Sequence, residues 1–209
     1  GSNIIKIEGI ERLKDVSYNI MPDRIEAGTL LCAAAITGGE IKLKRVNPNH
    51  MLPILDKLTD IGCKITIKEN EIELKAPKRL KAQDIRTMPY PGFPTDMQAI
   101  ISTCLATANG TSVVVENIFE NRFKYTQELN KMGAKISIEG KTAIIKGSKR
   151  LYGANVKATD LRGGVSLVLA GLIAKGKTRV DNIEFILRGY EKIEEKLKKL
   201  GAEIYIIKP

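Results

Sequence analysis

A chain of 209 residues, 43% hydrophobic and 28% charged, is long enough to bury a sizeable core in one large domain or two small ones. Its longest uncharged apolar run, Gly163 to Ala174, is roughly half of what crosses a bilayer, and no N-terminal segment has the order of a signal peptide, so a soluble cytoplasmic protein with no membrane partner is expected. The formal charge of +10 suits nucleic acid, a membrane face or small anions in a cleft, but the lysines are mixed with glutamates along polar faces such as Glu191 to Lys199, which reads as solvated helix surface and argues against nucleic acid.

In chain order, Gly1-Ser2-Asn3 reads as a cloning scar and residues 4–209 as a single domain. "IIKIEG" is a strand, "ERLKDV" a connection, and Asp23 opens the uncharged run "GTLLCAAAIT". A β-branched segment, "GEIKLKRV", follows a glycine stop; a helix then begins near "NPNHM", and "DIGCKITI" leads into "ITIKENEIELKA", whose alternation leaves one sheet face in water. The pattern then returns. "KRLKAQ" precedes Asp96 and "MQAIISTCLATA", with "GTSVVVENI", "FENRFKY" and "KMGAKISI" behind it; "KRLYGA" precedes Asp160 and "LRGGVSLVLAGLIA", with "GKTRVDNI", "ILRGYEK" and "KLGAEIYI" behind it.

Each unit therefore reads as βαβαββ. Its first helix is apolar all round and must be buried on every side. Its second is amphipathic, with Ile193, Leu197 and Leu200 on one stripe in the last copy. The expected fold is an α/β (α+β) inside-out, barrel-like domain, with three units about a pseudo-threefold axis, helices inside and sheets outside. Only eight residues follow Gly201, so the N-terminal Ile4–Ile7 strand is expected beside "AEIYIIK", closing the ring. Cys32, Cys63 and Cys104 lack paired or metal-type spacing and His50 is the only histidine, so inert thiols, no metal and no cofactor are expected.

The units differ where chemistry could sit. Leu13 precedes Asp23 by ten residues and Leu151 precedes Asp160 by nine, but Leu80 precedes Asp96 by 16, so "MPYPGFP" is an insertion whose prolines stiffen the approach to Thr95 and Asp96. An aspartate at a helix start is ordinarily a cap, and that reading stands beside a functional one for all three. Arg122 and Arg188 open second helices where the first unit has His50; an arginine there opposes the helix dipole, which fits an anion ligand or a plain surface residue. Arg162, two residues after Asp160, could pair with a neighbouring carboxylate.

"FPTDMQA", "VENIFENRFKY", "ATDLRGGVSLVLAGLIAKG" and "RGYEKIEEKLKKLGA" resemble the second half of the UDP-N-acetylglucosamine 1-carboxyvinyltransferases, enolpyruvyl transferases of peptidoglycan synthesis. The resemblance covers Ile4 to Lys208 and implies the same inside-out fold, in a protein of two such domains. It makes Asp96 the contact of the sugar 3-hydroxyl and the base for its deprotonation, Ile118 a backbone contact of the UDP-sugar, and Arg122 and Arg188 cleft arginines, the latter for phosphoenolpyruvate. Arg24, Thr95, Phe119, Asp160 and Arg162 fall on the cleft rim or the face toward the partner domain. The cysteine acid and lysine–asparagine pair of such enzymes would lie in the absent half, so the chain alone is expected to be inactive. Two alternatives stand beside this: a 5-enolpyruvylshikimate-3-phosphate synthase-like domain, and a basic repeat scaffold binding nucleic acid.

Overall fold

In the computed structural model, which describes residues 4–207, the three uncharged runs are helices packed against one another. Gly1–Asn3, read as a cloning scar, lie outside the described residues. The first run is α1 (Arg24–Thr37), started by Asp23, whose carboxylate accepts from the N–H groups of Ile25 and Glu26, and stopped by Gly38 at φ 73, where a left-handed backbone favours glycine. It is followed by β1 (Glu40–Lys44), α2 (Leu52–Asp60), β2 (Lys64–Lys68) and β3 (Glu71–Lys75). β3 lies between β1 and β2, antiparallel to both, and buries Ile72 and Leu74 on one face.

The middle stretch holds β4 (Ile85–Arg86), α3 (Gln98–Leu105), β5 (Thr111–Val115), α4 (Tyr125–Lys131), β6 (Lys135–Glu139) and β7 (Thr142–Lys146). Its sheet runs β4-β5-β7-β6, with the first pair parallel and the others antiparallel. The last stretch contributes β8 (Asn155–Lys157), α5 (Leu161–Ile173), β9 (Arg179–Asp181), α6 (Glu184–Leu187) and α7 (Ile193–Lys199), with β8 and β9 as a parallel pair.

The helix surfaces explain the layering. Leu31, Ile100, Ile101, Leu167 and Leu169 are fully buried, each contributing about 1.5–3 kcal/mol over exposure. Several polar side chains among them are satisfied locally: Thr29 and Ser102 donate to carbonyls four residues back, at Ile25 and Gln98, and Ser166 to Gly163, whereas the fully buried Gln98 side chain has no hydrogen-bond partner among the described residues for its amide oxygen or nitrogen. Cys32, Cys63 and Cys104 are buried; burial pushes the Cys63 thiol up to about 12, as befits an inert group.

Four sequence expectations change. The strands form separate sheets of three, four and two strands, with no closed barrel among the described residues. Among the described residues, only the middle unit carries the whole βαβαββ order. Ile4–Ile7 do not close the third sheet: no strand is assigned in residues 4–22 or 202–207, and Ile4, Ile5 and Ile7 are 79–87% exposed. The three-residue β9 offers few ladder bonds against an ordering cost of about 1–2 kcal/mol per residue. Leu200 also leaves the α7 stripe, because the helix ends at Lys199 and its side chain turns to solvent.

Because the N-terminal run contributes no side chain to the core, deleting residues 4–13 should change the free energy of unfolding by no more than about 0.5 kcal/mol in a urea titration. A loss several times larger would show that the run is seated on the body.

Candidate functional site

The proline insertion is a closed loop. Met88 N–H donates to the Phe93 carbonyl at 2.9 Å and Gly92 N–H to the Pro89 carbonyl at 2.7 Å, while the Phe93 ring is buried beneath them. The loop ends in a 3-10 turn, Thr95–Met97, that runs into α3. Met97 is fully buried and passes Gly28 of α1 so closely that a Cβ there would sit 2.9 Å from its sulfur. The turn is thus pressed onto the helix core, and Asp96 stands on its outer side with 43% of its side chain exposed.

Asp96 is no cap. Asp23 and Asp160 accept N–H bonds from their helix starts, but the Asp96 carboxylate is held by two arginines. Arg122 Nη2 donates to Oδ1 at 2.7 Å and Arg162 Nη2 to Oδ2 at 3.1 Å. Both guanidiniums are deep, with side chains 8% and 13% exposed. Arg122 comes from the turn Arg122–Lys124, donates also to the Thr95 carbonyl at 3.2 Å, and lies over the Phe119 ring at 4.8 Å. Arg162 lies over the Tyr190 ring at 5.5 Å, and the Tyr190 hydroxyl in turn bonds Thr29 of α1 at 2.8 Å. Arg122 Nε and Arg162 Nη1 are buried without a hydrogen-bond partner, so the cluster has donors to spare.

The other expected residues spread around this centre. Asp160 caps α5 through bonds to the N–H groups of Arg162 and Gly163, so its neighbour Arg162 is free to reach Asp96. Thr95 donates to Glu116. Ile118 and Phe119 are 44% and 55% exposed. Arg24, at the start of α1, lies over the Tyr90 ring of the insertion at 5.7 Å, and both line an open groove of about 430 Å³ together with His50. Arg188, just past α6, is exposed over the Phe185 ring at 5.6 Å, and no contact brings it to the Asp96 cluster. Among the described residues, no group of His, Cys, Asp and Glu could hold a metal, and no helix is long and apolar enough to cross a membrane.

Sequence reasoning missed Glu116 and Tyr190. Glu116 is buried and accepts four hydrogen bonds, from the hydroxyls of Thr87 and Thr95 and the N–H groups of Ile118 and Phe119. The readable signal was a carboxylate closing the apolar run "SVVVE", where the register turns a side chain inward. Tyr190 had none, since its partners Thr29 and Arg162 are remote in sequence.

The chain as a whole is similar to a known group of proteins. The family model described as EPSP synthase (3-phosphoshikimate 1-carboxyvinyltransferase) matches residues 1–197. The chain belongs to the EPSP synthase family. A UDP-N-acetylglucosamine 1-carboxyvinyltransferase of Caldanaerobacter subterraneus subsp. tengcongensis is 52% identical over 98% of the chain and 49% of its own length, and one from Desulfofundulus thermocisternus is 51% identical over 98% of the chain and 85% of its own length. Among solved structures, the enolpyruvyl transferase NikO from Streptomyces tendae superposes with a TM-score of 0.82 at 26% identity, covering 89% of this chain and 44% of its own. EPSP synthase from Acinetobacter baumannii, at 20% identity and TM-score 0.74 over 90% of this chain and 48% of its own, shares the fold. The chain spans about half the length of most of the curated relatives it matches.

Burial alone would raise the Asp96 pKa, but hydrogen bonds and charge from Arg162 and Arg122 outweigh it and hold the carboxyl below its ordinary value. A depressed folded-state pKa gives stability that is complete above the ordinary carboxylate value and is lost as pH falls through the lowered one. Asp96→Asn should therefore be less stable than the parent at neutral pH, and the gap should close in thermal melts taken below about pH 4. A gap of constant size down to the acid limit would mean that the ion pairs contribute nothing.

Proposed function

We propose that this chain is one wall of the active site of an enolpyruvyl transferase that moves enolpyruvate from phosphoenolpyruvate to the 3-hydroxyl of UDP-N-acetylglucosamine by addition and elimination, an early step of peptidoglycan synthesis. The observation that carries the reading is the half-exposed Asp96 carboxylate between two nearly buried arginines. The relatives at about 50% identity, all bearing the UDP-sugar name, support this branch over the shikimate one. Both substrates are anions that do not cross a bilayer unaided, which supports a cytoplasmic site. Residues 4–209 are taken as a single domain, supported by the contiguous core of the folded body.

The chemistry asks three things of this wall. A carboxylate must accept the proton of the sugar hydroxyl as it adds to C2 of phosphoenolpyruvate; Asp96 has that role. Paired to two cations it is a weak base, so the incoming carboxylate or phosphate must draw a guanidinium away, and Arg122 and Arg162 carry the fork geometry for that exchange. Arg188, exposed, adds a cation for phosphoenolpyruvate. The third requirement is a hold on the sugar. The N–H of Ile118 is committed to Glu116, so its carbonyl oxygen is the group offered to the UDP-sugar, with the Phe119 ring beside it. Arg24, Thr95, Asp160 and Arg162 shape the rim that faces the other domain. That domain would supply the acid that protonates phosphoenolpyruvate, so the partners are the two substrates and the other half.

Mixing the chain with the complementary half should restore phosphate release from phosphoenolpyruvate and UDP-N-acetylglucosamine, with none from the chain alone. Asp96→Ala should cut the restored rate by about a hundredfold or more. Full activity in Asp96→Ala, or turnover by the chain alone, would overturn the reading.

A further inference from the structure

The carboxylate that the proposed chemistry does not use is Glu116, 5% exposed at the end of β5. Its Oε1 accepts from Thr87 Oγ1 at 2.7 Å, Ile118 N at 2.8 Å and Phe119 N at 3.0 Å; its Oε2 accepts from Thr95 Oγ1 at 3.0 Å. No ion pair to it is found among the described residues, so neutral donors do all the work of solvating a buried charge. The Thr87 hydroxyl is locked in this arrangement, because it accepts from Asn117 N at 2.8 Å while donating to Glu116.

These donors come from three segments: the end of β4, the turn that carries Asp96, and the backbone that leads to Arg122. Ile118 and Phe119 are exposed, Asp96 has 43% of its side chain exposed, and Thr95 is half-buried. A buried charge that binds together two exposed pieces of one site fixes the spacing of that site. We propose that Glu116 is a positioning residue of the transferase site, setting the Asp96 turn against the Ile118–Phe119 backbone and aiming that backbone's carbonyls at the UDP-sugar. This rests on the function proposed above.

The test uses the full-length protein with both halves present. Glu116→Gln keeps an acceptor oxygen for Thr87, Ile118 and Phe119, and its amide can donate to Thr95, which accepts instead; kcat/KM for UDP-N-acetylglucosamine should stay within about threefold of the parent. Glu116→Ala removes all four bonds. Well below its unfolding midpoint it should raise KM for the UDP-sugar by about tenfold or more and speed amide exchange at Ile118 and Phe119. Should Glu116→Ala fail to fold, Thr95→Val cuts only the Oε2 limb and should lower kcat several-fold with KM for the UDP-sugar near that of the parent.

Parental kinetics in folded Glu116→Ala, or in Thr95→Val, would overturn the positioning role while leaving the transferase reading intact. So would a Glu116→Gln as impaired as Glu116→Ala. A parent protein that releases no phosphate would overturn the transferase reading, and this role with it.

Discussion

Three helices with almost no charged side chain have no face to show to water, and the rest of the structure follows from burying them. α1, α3 and α5 touch one another, so the strands and the second helices are left to cover them. Their capping ends are the places where the buried layer opens outward, and there the chain puts its polar chemistry. α5 starts beside the turn that starts α3, since Arg162 and Asp96 are in contact. Arg24 at the start of α1 reaches Tyr90 in the loop ahead of that same turn.

Two carboxylates meet in this region under opposite conditions. Asp96 is half exposed and held by charge: two guanidiniums on one carboxylate leave the cluster cationic, with two buried donor atoms unpartnered. Such pairs exchange partners when a competing anion arrives, because the donors are forks and the acceptor faces solvent. Glu116 is buried and held by neutral groups whose positions are fixed by backbone and by locked hydroxyls. A charge solvated that way has nothing to exchange with. The first arrangement suits a group that must be uncovered during a reaction, the second a group that must stay still.

The insertion before Asp96 acquires a mechanical meaning from the same contacts. Two backbone hydrogen bonds close it, Phe93 anchors it, and Met97 against Gly28 presses its end onto α1. Asp23 and Asp160, reached by shorter connections, turn inward to cap their helices. Asp96 is carried inside the 3-10 turn that runs into α3 and its carboxylate is held by the arginines.

Local pattern fixed much of this. The uncharged runs, their aspartate starts, the alternating strands and the six-residue insertion are all set by side-chain polarity and proline at short range, and "FPTDMQA" and "FENRF" carried the family resemblance. The sequence by itself determined which helices are buried, which loop is special, and that Asp96, Arg122 and Arg162 are candidates. Only the tertiary structure decided that those three form one cluster, that Arg188 lies over Phe185 rather than in contact with that cluster, that Glu116 joins Thr95 of the neighbouring turn to the Ile118–Phe119 backbone, and that Ile4, Ile5 and Ile7 are exposed. The physical reason is distance along the chain: Arg162 is 66 residues from Asp96, and Glu116 gathers donors up to 29 residues away. Periodicity reports the polarity of a residue's own surroundings, whereas pairing among remote residues depends on how the buried helices bring their ends together.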